Sequence, residues 1–245
     1  MLKVQNLTKN FGGVKAVNNC NFEIEKEKIT ALIGPNGSGK TTVFNLISGI
    51  CIPNSGSIFF KSADLVGCSV EQISNLGISR VFQQSRLFKN LTVEENLFLA
   101  IDNDDTKFWK NLFGLNKITK EKENKIDVIL KLLDISEIKK KMASELSFGQ
   151  KRLVELARTI LNPHELLMLD EPVAGVNPKL RTEISKILLD LKNKGETILL
   201  IEHDMTFTLK IADRIIVLDA GKVIAQGTPD EIKNNPLVLE AYLGA

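Results

Sequence analysis

Residues Gly34 to Thr42 read GPNGSGKTT, a full match to the pattern G-x-x-x-x-G-K-[ST]. Between a strand and a helix, such a stretch does phosphate chemistry. Gly34, Gly37 and Gly39 let backbone N–H groups curl around anionic oxygens, with Pro35, Asn36 and Ser38 completing the loop. Lys40 can reach the β- and γ-phosphates of a nucleotide, and the Thr41 hydroxyl, with Thr42 beside it, can ligate Mg²⁺. Further along stand Asp170 and Glu171, a carboxylate to hold the metal directly or through water and a neighbour to polarise the attacking water. Gln83 is an uncharged group able to bridge metal and water. His203 lies just past an apolar run, where an imidazole would face the terminal phosphate. Together these residues predict hydrolysis of a nucleoside triphosphate, with Lys40, Gln83, Glu171 and His203 carrying the catalysis and Thr41, Gln83 and Asp170 holding the metal.

Two further stretches bear on the nucleotide. NKID, Asn124 to Asp127, has the N-K-x-D form by which GTPases read guanine, but it opens a lysine-rich amphipathic segment instead of following a core strand. Adenine is the expected base, stacked on Phe11 with Val17 beneath. LSFGQ, Leu146 to Gln150, then puts Ser147, Gly149 and Gln150 at the mouth of a predicted helix. Two roles are open to it: an ordinary N-cap, or a second anion contact made by free N–H groups and the positive end of the helix dipole.

The elements that must position these groups are legible as short aliphatic runs. ITALI (Ile29 to Ile33), ISRVF (Ile78 to Phe82), LLML (Leu166 to Leu169) and TILLI (Thr197 to Ile201) read as buried parallel strands. Each ends at a chemical group: the phosphate loop, Gln83, the Asp170–Glu171 pair, and Glu202, His203 and Asp204. That matches the rule that ligands of open α/β sheets sit beyond the carboxyl ends of the strands. LKVQNL, NCNFEIE and RIIVLDAGKVIAQG read as meander or hairpin strands, the last turning at Ala220-Gly221. From Leu91 to Glu145 the strand signal vanishes; Ile126, Ile129, Leu130 and Leu133 recur at helical spacing among lysines whose simplest reading is a solvated face. KFWKNLF, Lys107 to Phe113, is expected to pack within that helical region.

Bulk composition narrows the function. At 245 residues with net charge +2, the chain has no electrostatic footprint for nucleic acid. Three cysteines, Cys20, Cys51 and Cys68, form neither a metal-ligand spacing nor an even disulfide set. No apolar run approaches the ~18 residues of a membrane span. Work at a membrane would need another chain to do the spanning.

In order and spacing, the phosphate loop, Gln83, LSFGQ, LLMLDEP and IEHDM together resemble the ATP-binding subunit of an ABC transporter, over essentially the whole chain. EPVAGVNP, IEHDM and the ending AQGTPDEIKNNPLVLEAYLG are similar to the subunits that energise branched-chain amino-acid importers, with lipopolysaccharide-export ATPases as near relatives and soluble, non-transport ABC ATPases a more distant alternative. Phe148, Phe11 and Asn177 depart mildly from the broad pattern, at positions where glycine, tyrosine and aspartate are commoner.

The resemblance implies an α/β fold: a P-loop NTPase core with an antiparallel β subdomain and an inserted helical subdomain. The expected division of the single ABC-type domain is 1–90 and 159–245 for the core, with 91–158 helical. The resemblance also implies ATP and Mg²⁺ as cofactors. Two subunits, a homodimer or a paralogous heterodimer, would pair head to tail so that Ser147 and Gly149 of one contact the ATP of the other. Transmembrane permease subunits would dock near Arg86, Leu87 and Phe88, and a substrate-binding protein would take part indirectly. The expected place is the cytoplasmic face of the cell membrane, as a peripheral subunit.

Overall fold

The computed structural model describes residues 1–81, 87–101 and 120–243. It divides into two compact units, one of Met1–Arg80, Glu165–Ala174 and Leu188–Ala245, the other of Val81–His164 and Gly175–Ile187.

In the first unit, strands β1 (Leu2–Phe11) and β2 (Val14–Ile24) form an antiparallel hairpin, and β4 (Ser55–Phe60) pairs antiparallel on the other side of β1, followed by the short β5 (Ala63–Asp64). Alternation along β1 and β2 puts Leu2, Val4, Leu7, Phe22 and Ile24 on the buried face. The second sheet has the order β10-β9-β3-β8-β7-β6. Its members are β3 (Ile29–Ile33), β6 (Ile78–Val81), β7 (Leu166–Asp170), β8 (Thr197–Ile201), β9 (Arg214–Asp219) and β10 (Lys222–Gly227). Every residue of β3, β7 and β8 is buried, which is why these strands read as unbroken aliphatic runs.

β3 pairs in parallel with both β8 and β9, and β8 with β7. The late hairpin turns where expected, with Ala220 and Gly221 at φ 43° and 78°. Its two strands differ in status: β9 is a parallel member of the main sheet, and only β10 is antiparallel. Helix α1 (Lys40–Ile47) buries Val43, Phe44, Leu46 and Ile47 in a cluster shared with Leu7, Phe22, Ile58, Leu199 and Leu218. The helix after the phosphate loop is thereby fixed to both sheets.

The second unit is helical, with α3 (Val93–Ile101), α4 (Lys120–Leu132) and α5 (Phe148–Leu161) packed on one another; the short α2 (Val70–Asn75) precedes them in the first unit. Ile126, Leu130 and Leu133 are buried as their spacing requires. Asn124 to Asp127 lie within α4, so the N-K-x-D match is helix and not a base-reading loop. Lys139 bridges Glu94 at 3.2 Å and Asp127 at 2.5 Å, and Lys140 also pairs with Glu94, so part of the basic flank is tied to neighbouring acids. Lys107 to Phe113 lie outside the described residues. Helices α6 (Pro178–Asn193), α7 (Met205–Ile211), α8 (Pro229–Lys233) and α9 (Pro236–Leu243) complete the chain.

Candidate active site

The phosphate loop leaves β3 at Ile33 and enters α1 at Lys40. Glycine is obligatory at its two ends for different backbones: a Cβ on Gly34 would come within 2.0 Å of the Leu218 carbonyl oxygen, and one on Gly39 within 2.2 Å of that of Ala16. Gly34, Gly37 and Gly39 hold φ of 149°, 79° and 102°. The Ser38 carbonyl accepts from the Gly221 N–H at 3.0 Å, tying the loop to the β9–β10 turn. No side chain caps α1, which leaves the N–H groups of its first turn for an anion.

The Lys40 ammonium is buried and donates to the carbonyl oxygens of Gly34 and Pro35 at 2.8 and 2.9 Å, with the Ser38 hydroxyl at 3.4 Å. Burial pushes its pKa down, and the charges of Glu171 and Asp170 act in the opposite direction. The Thr41 side chain is exposed, Thr42 is half-buried, and Asn36 and Gly37 face solvent. From the last helix, Tyr242 turns a buried hydroxyl toward the Gly34 backbone, and desolvation raises its pKa.

β7 ends in Asp170, buried, and hands over to Glu171, whose backbone sits at φ 49°, a left-handed conformation uncommon for a non-glycine residue. The Glu171 N–H donates to the Ile201 carbonyl at 3.0 Å, so the ends of β7 and β8 stay in step. His203 Nδ1 then lies 3.6 Å from Glu171 Oε1, and both side chains retain solvent access. Asp204 caps α7, accepting from the Phe207 N–H at 3.0 Å. Lys40, Asp170, Glu171 and His203 therefore gather beyond the carboxyl ends of β3, β7 and β8.

Gln83 and Arg86 lie outside the described residues. Phe11 is 52 % exposed, with the Lys9 ammonium 5.1 Å from its ring centroid. Val17 is wholly buried in the core cluster and offers no side-chain surface to a base. Its neighbours on β2, Ala16 and Asn18, are half-buried.

In the second unit, Ser147 is the N-cap of α5. Its hydroxyl accepts from the Gln150 N–H at 3.3 Å, and Gln150 Oε1 accepts from the Ser147 N–H at 3.0 Å, a reciprocal capping box. Ser147 and Phe148 are exposed, and Gly149 and Gln150 are half-exposed. Asn177 caps α6 through the Leu180 N–H at 2.9 Å. Leu87 is buried while Phe88 is 53 % exposed, its backbone clamped by the side chain of Asn96.

Two residues near the strand ends have partners that the sequence does not indicate: Glu202, one of the groups that follow TILLI, and Arg80. Glu202 is fully buried, accepts from the Val173 N–H at 3.2 Å and the His203 N–H at 3.3 Å, and has its pKa raised by desolvation. It joins the segment after Glu171 to the histidine. Arg80, on β6, pairs with Asp170 at 2.9 Å. A charge inside an otherwise apolar strand was the available signal, since such a group is rarely buried unless paired.

Comparison with known proteins yields a consistent set of similarities. Residues 17–174 match the family model for the ABC transporter, and residues 222–245 that for the branched-chain amino acid ATP-binding cassette transporter. The chain is 41 % identical, over 100 % of its own length and 98 % of the relative's, to the high-affinity branched-chain amino acid transport ATP-binding protein LivG of Escherichia coli (strain K12). It is 40 % identical, over 100 % of its length and 96 % of the relative's, to the protein named probable branched-chain amino acid transport ATP-binding protein LivG of Archaeoglobus fulgidus. Among solved structures, it matches a nucleotide-free ATP-binding cassette from an ABC transporter with a TM-score of 0.85 at 36 % identity, covering 100 % of this chain and 99 % of that one. A dimeric bacterial ABC transporter cassette matches with a TM-score of 0.80 at 25 % identity, covering 94 % of this chain and 99 % of that one.

Proposed function

The chain belongs to the ABC transporter family, as one of its ATPases, and on that premise we propose that it powers uptake of branched-chain or related amino acids through a separate permease. The observation that carries the catalytic reading is the meeting of Lys40, the Asp170–Glu171 pair and His203 beyond the carboxyl ends of β3, β7 and β8. The full-length identity to branched-chain amino acid transport ATP-binding proteins, with the match of the last residues to that group, supports the cargo class.

In this reading the loop N–H groups from Gly34 to Thr42 surround the phosphates and Lys40 exchanges its carbonyl partners for β- and γ-phosphate oxygens. Glu171 accepts the proton of the attacking water, and His203, 3.6 Å away, holds the carboxylate and the terminal phosphate in register. Phe11 is the platform for adenine. Thr41 and Asp170, with Gln83, would hold Mg²⁺. Among the described residues no group of three or more His, Cys, Asp or Glu side chains could hold a metal alone, which fits a cation that completes its shell with phosphate oxygens and water. Mg²⁺ there would neutralise charge on the β- and γ-phosphates.

Ser147, Gly149 and Gln150 would close over the nucleotide of a second ATPase subunit, a copy or a paralogue, so that ATP joins the pair and hydrolysis releases it. The exposed Phe88 and its neighbours would receive the permease, with a substrate-binding protein acting on the permease and no role for nucleic acid. Among the described residues no helix is long and apolar enough to cross a membrane, so attachment at the cytoplasmic face would run through the permease. In this reading the P-loop core and the helical subdomain would be two parts of a single ABC-type domain.

The test is reconstitution with the permease and binding protein in vesicles. ATP-dependent uptake of labelled leucine, isoleucine or valine, lost on Lys40→Ala, is the expected result. An assembled complex that hydrolyses ATP yet moves none of them, nor any related aliphatic amino acid, would overturn the cargo.

A further inference from the structure

Arg80 is the last residue of the first unit before the chain passes into the second, three positions ahead of Gln83 in the sequence. Its guanidinium is held from several sides at once. One terminal nitrogen donates to Asp170 Oδ2 at 2.9 Å, and the other to Asn45 Oδ1 and Ser48 Oγ, both at 2.8 Å. The guanidinium carbon lies 5.4 Å from the centroid of the Phe44 ring. Ser48 in turn donates to the Phe44 carbonyl at 2.6 Å, which turns its lone pairs toward Arg80. The side chains of Arg80 and Asp170 are only 6 % and 4 % exposed.

A buried ion pair is a poor source of stability, because stripping water from two charges offsets most of their attraction. What it supplies is direction: a planar fork pinned to the end of α1 presents its remaining edge to one carboxylate oxygen in a single orientation. We propose that Arg80 is the positioning residue of Asp170. It grips one oxygen of the carboxylate so that the group meets its cation in a fixed pose, and it balances the carboxylate's charge when no cation is bound. Asn45 and Ser48 act through Arg80, so one polar side chain links the helix that follows the phosphate loop to the carboxylate at the end of β7, beside their shared apolar core.

The inference rests on the reading of Asp170 as the metal-holding carboxylate, and the test separates the two. Full-length protein saturated with ADP is titrated with Mn²⁺, and the free ion is followed by its EPR signal. ADP affinity in excess EDTA is measured alongside. Partners that orient a metal ligand are typically worth about 10- to 100-fold in metal affinity.

Arg80→Met, which keeps the apolar stem over Phe44, should weaken Mn²⁺ binding by about tenfold or more while metal-free ADP affinity stays within about twofold. Arg80→Lys should recover part of the loss. Asn45→Ala, which leaves the guanidinium charge in place, should shift Mn²⁺ binding in the same direction by less. Asp170→Asn is the control: if it leaves Mn²⁺ binding unchanged, the metal reading of Asp170 is wrong and takes the inference with it. If Asp170→Asn weakens the metal while Arg80→Met leaves it unchanged or tightens it, Arg80 does not position the ligand and the inference alone falls. Equal losses of metal binding and metal-free ADP binding would make Arg80 a scaffold residue, which also overturns it. Should Arg80→Met fail to fold, Asn45→Ala and Arg80→Lys decide, and unchanged Mn²⁺ affinity in both counts against the proposal.

Discussion

Replacing Ser147 by aspartate separates a helix cap from an anion contact. Ser147 and Gln150 close the start of α5 within their own chain, through bonds of 3.3 and 3.0 Å. Aspartate caps as well as serine, and at this exposed site its charge gains about 0.3–1 kcal/mol from the helix dipole. Thermal stability should therefore hold or rise by a degree or two, since ~1 kcal/mol moves Tm by about 2–4 °C in a chain of this size. Alanine loses the cap at a cost of about 1 kcal/mol and should lower Tm by about 2–4 °C. Hydrolysis should rank the variants the other way. A carboxylate brought about 4 Å from a phosphate charge, at an effective dielectric near 20, is opposed by about 4 kcal/mol, close to a thousandfold.

Ser147→Asp should thus be stable and inactive, and Ser147→Ala slightly less stable and partly active, as read by differential scanning calorimetry and phosphate release at saturating Mg·ATP. Mixing Ser147→Asp with Lys40→Ala, each inactive alone, should restore activity that rises with protein concentration, because one composite site of the mixed pair is intact. A Ser147→Asp protein that folds normally and hydrolyses ATP within about tenfold of the parent would refute the anion contact and leave LSFGQ a cap.

Glu171→Gln should retain ATP binding, lose nearly all turnover, and run as a dimer in size-exclusion chromatography with Mg·ATP; a monomer at high protein and ATP concentrations would contradict the paired arrangement. Phe11→Ala should weaken nucleotide affinity by roughly 1–3 kcal/mol by calorimetric titration, the range for bases stacked on aromatic rings, with little change in Tm because the ring is already half exposed. Glu202 carries a pH signature: burial raises its folded-state pKa, so the stability it contributes is present at low pH and lost as pH climbs from the unfolded carboxylate pKa through the raised value. The Tm of Glu202→Gln relative to the parent should increase from pH 4 to pH 7, and a flat or falling difference would exclude that origin.

The parallel strands were readable because burial on both faces leaves an unbroken aliphatic run: ITALI and TILLI coincide with β3 and β8 to the residue. The phosphate loop was readable because its constraints are local, glycine conformation and a lysine at fixed spacing. Pairings far apart in sequence were not. No local pattern joins Arg80 to Asn45 and Asp170, or Glu202 to Val173, since their partners are chosen by strand order. The same limit explains β9, whose polar flank and hairpin turn describe its bond to β10 and say nothing of its parallel bond to β3. Gly175–Ile187 groups with the helical unit although only Pro172, Val173 and Ala174 separate it from Asp170 and Glu171 in the chain.

The strand that carries the phosphate loop is made early and paired late. Ile29 aligns with Ile198, Thr30 with Arg214, and the Ile29 amide bonds to Asp213, 184 residues away. At about 5–20 residues per second, a ribosome needs roughly ten to forty seconds to supply those partners. Throughout that interval the loop has no sheet behind it, and the Gly221 N–H that holds Ser38 has not yet been joined to the chain. A nascent chain therefore lacks the sheet partners of its phosphate loop until β8 and β9 have been made, so fragments released before that point carry the lysine and glycines without the strands that back them. Nucleotide binding then reports that β8 and β9 have closed on β3, and addition of ATP during refolding should favour the molecules in which that closure has already taken place.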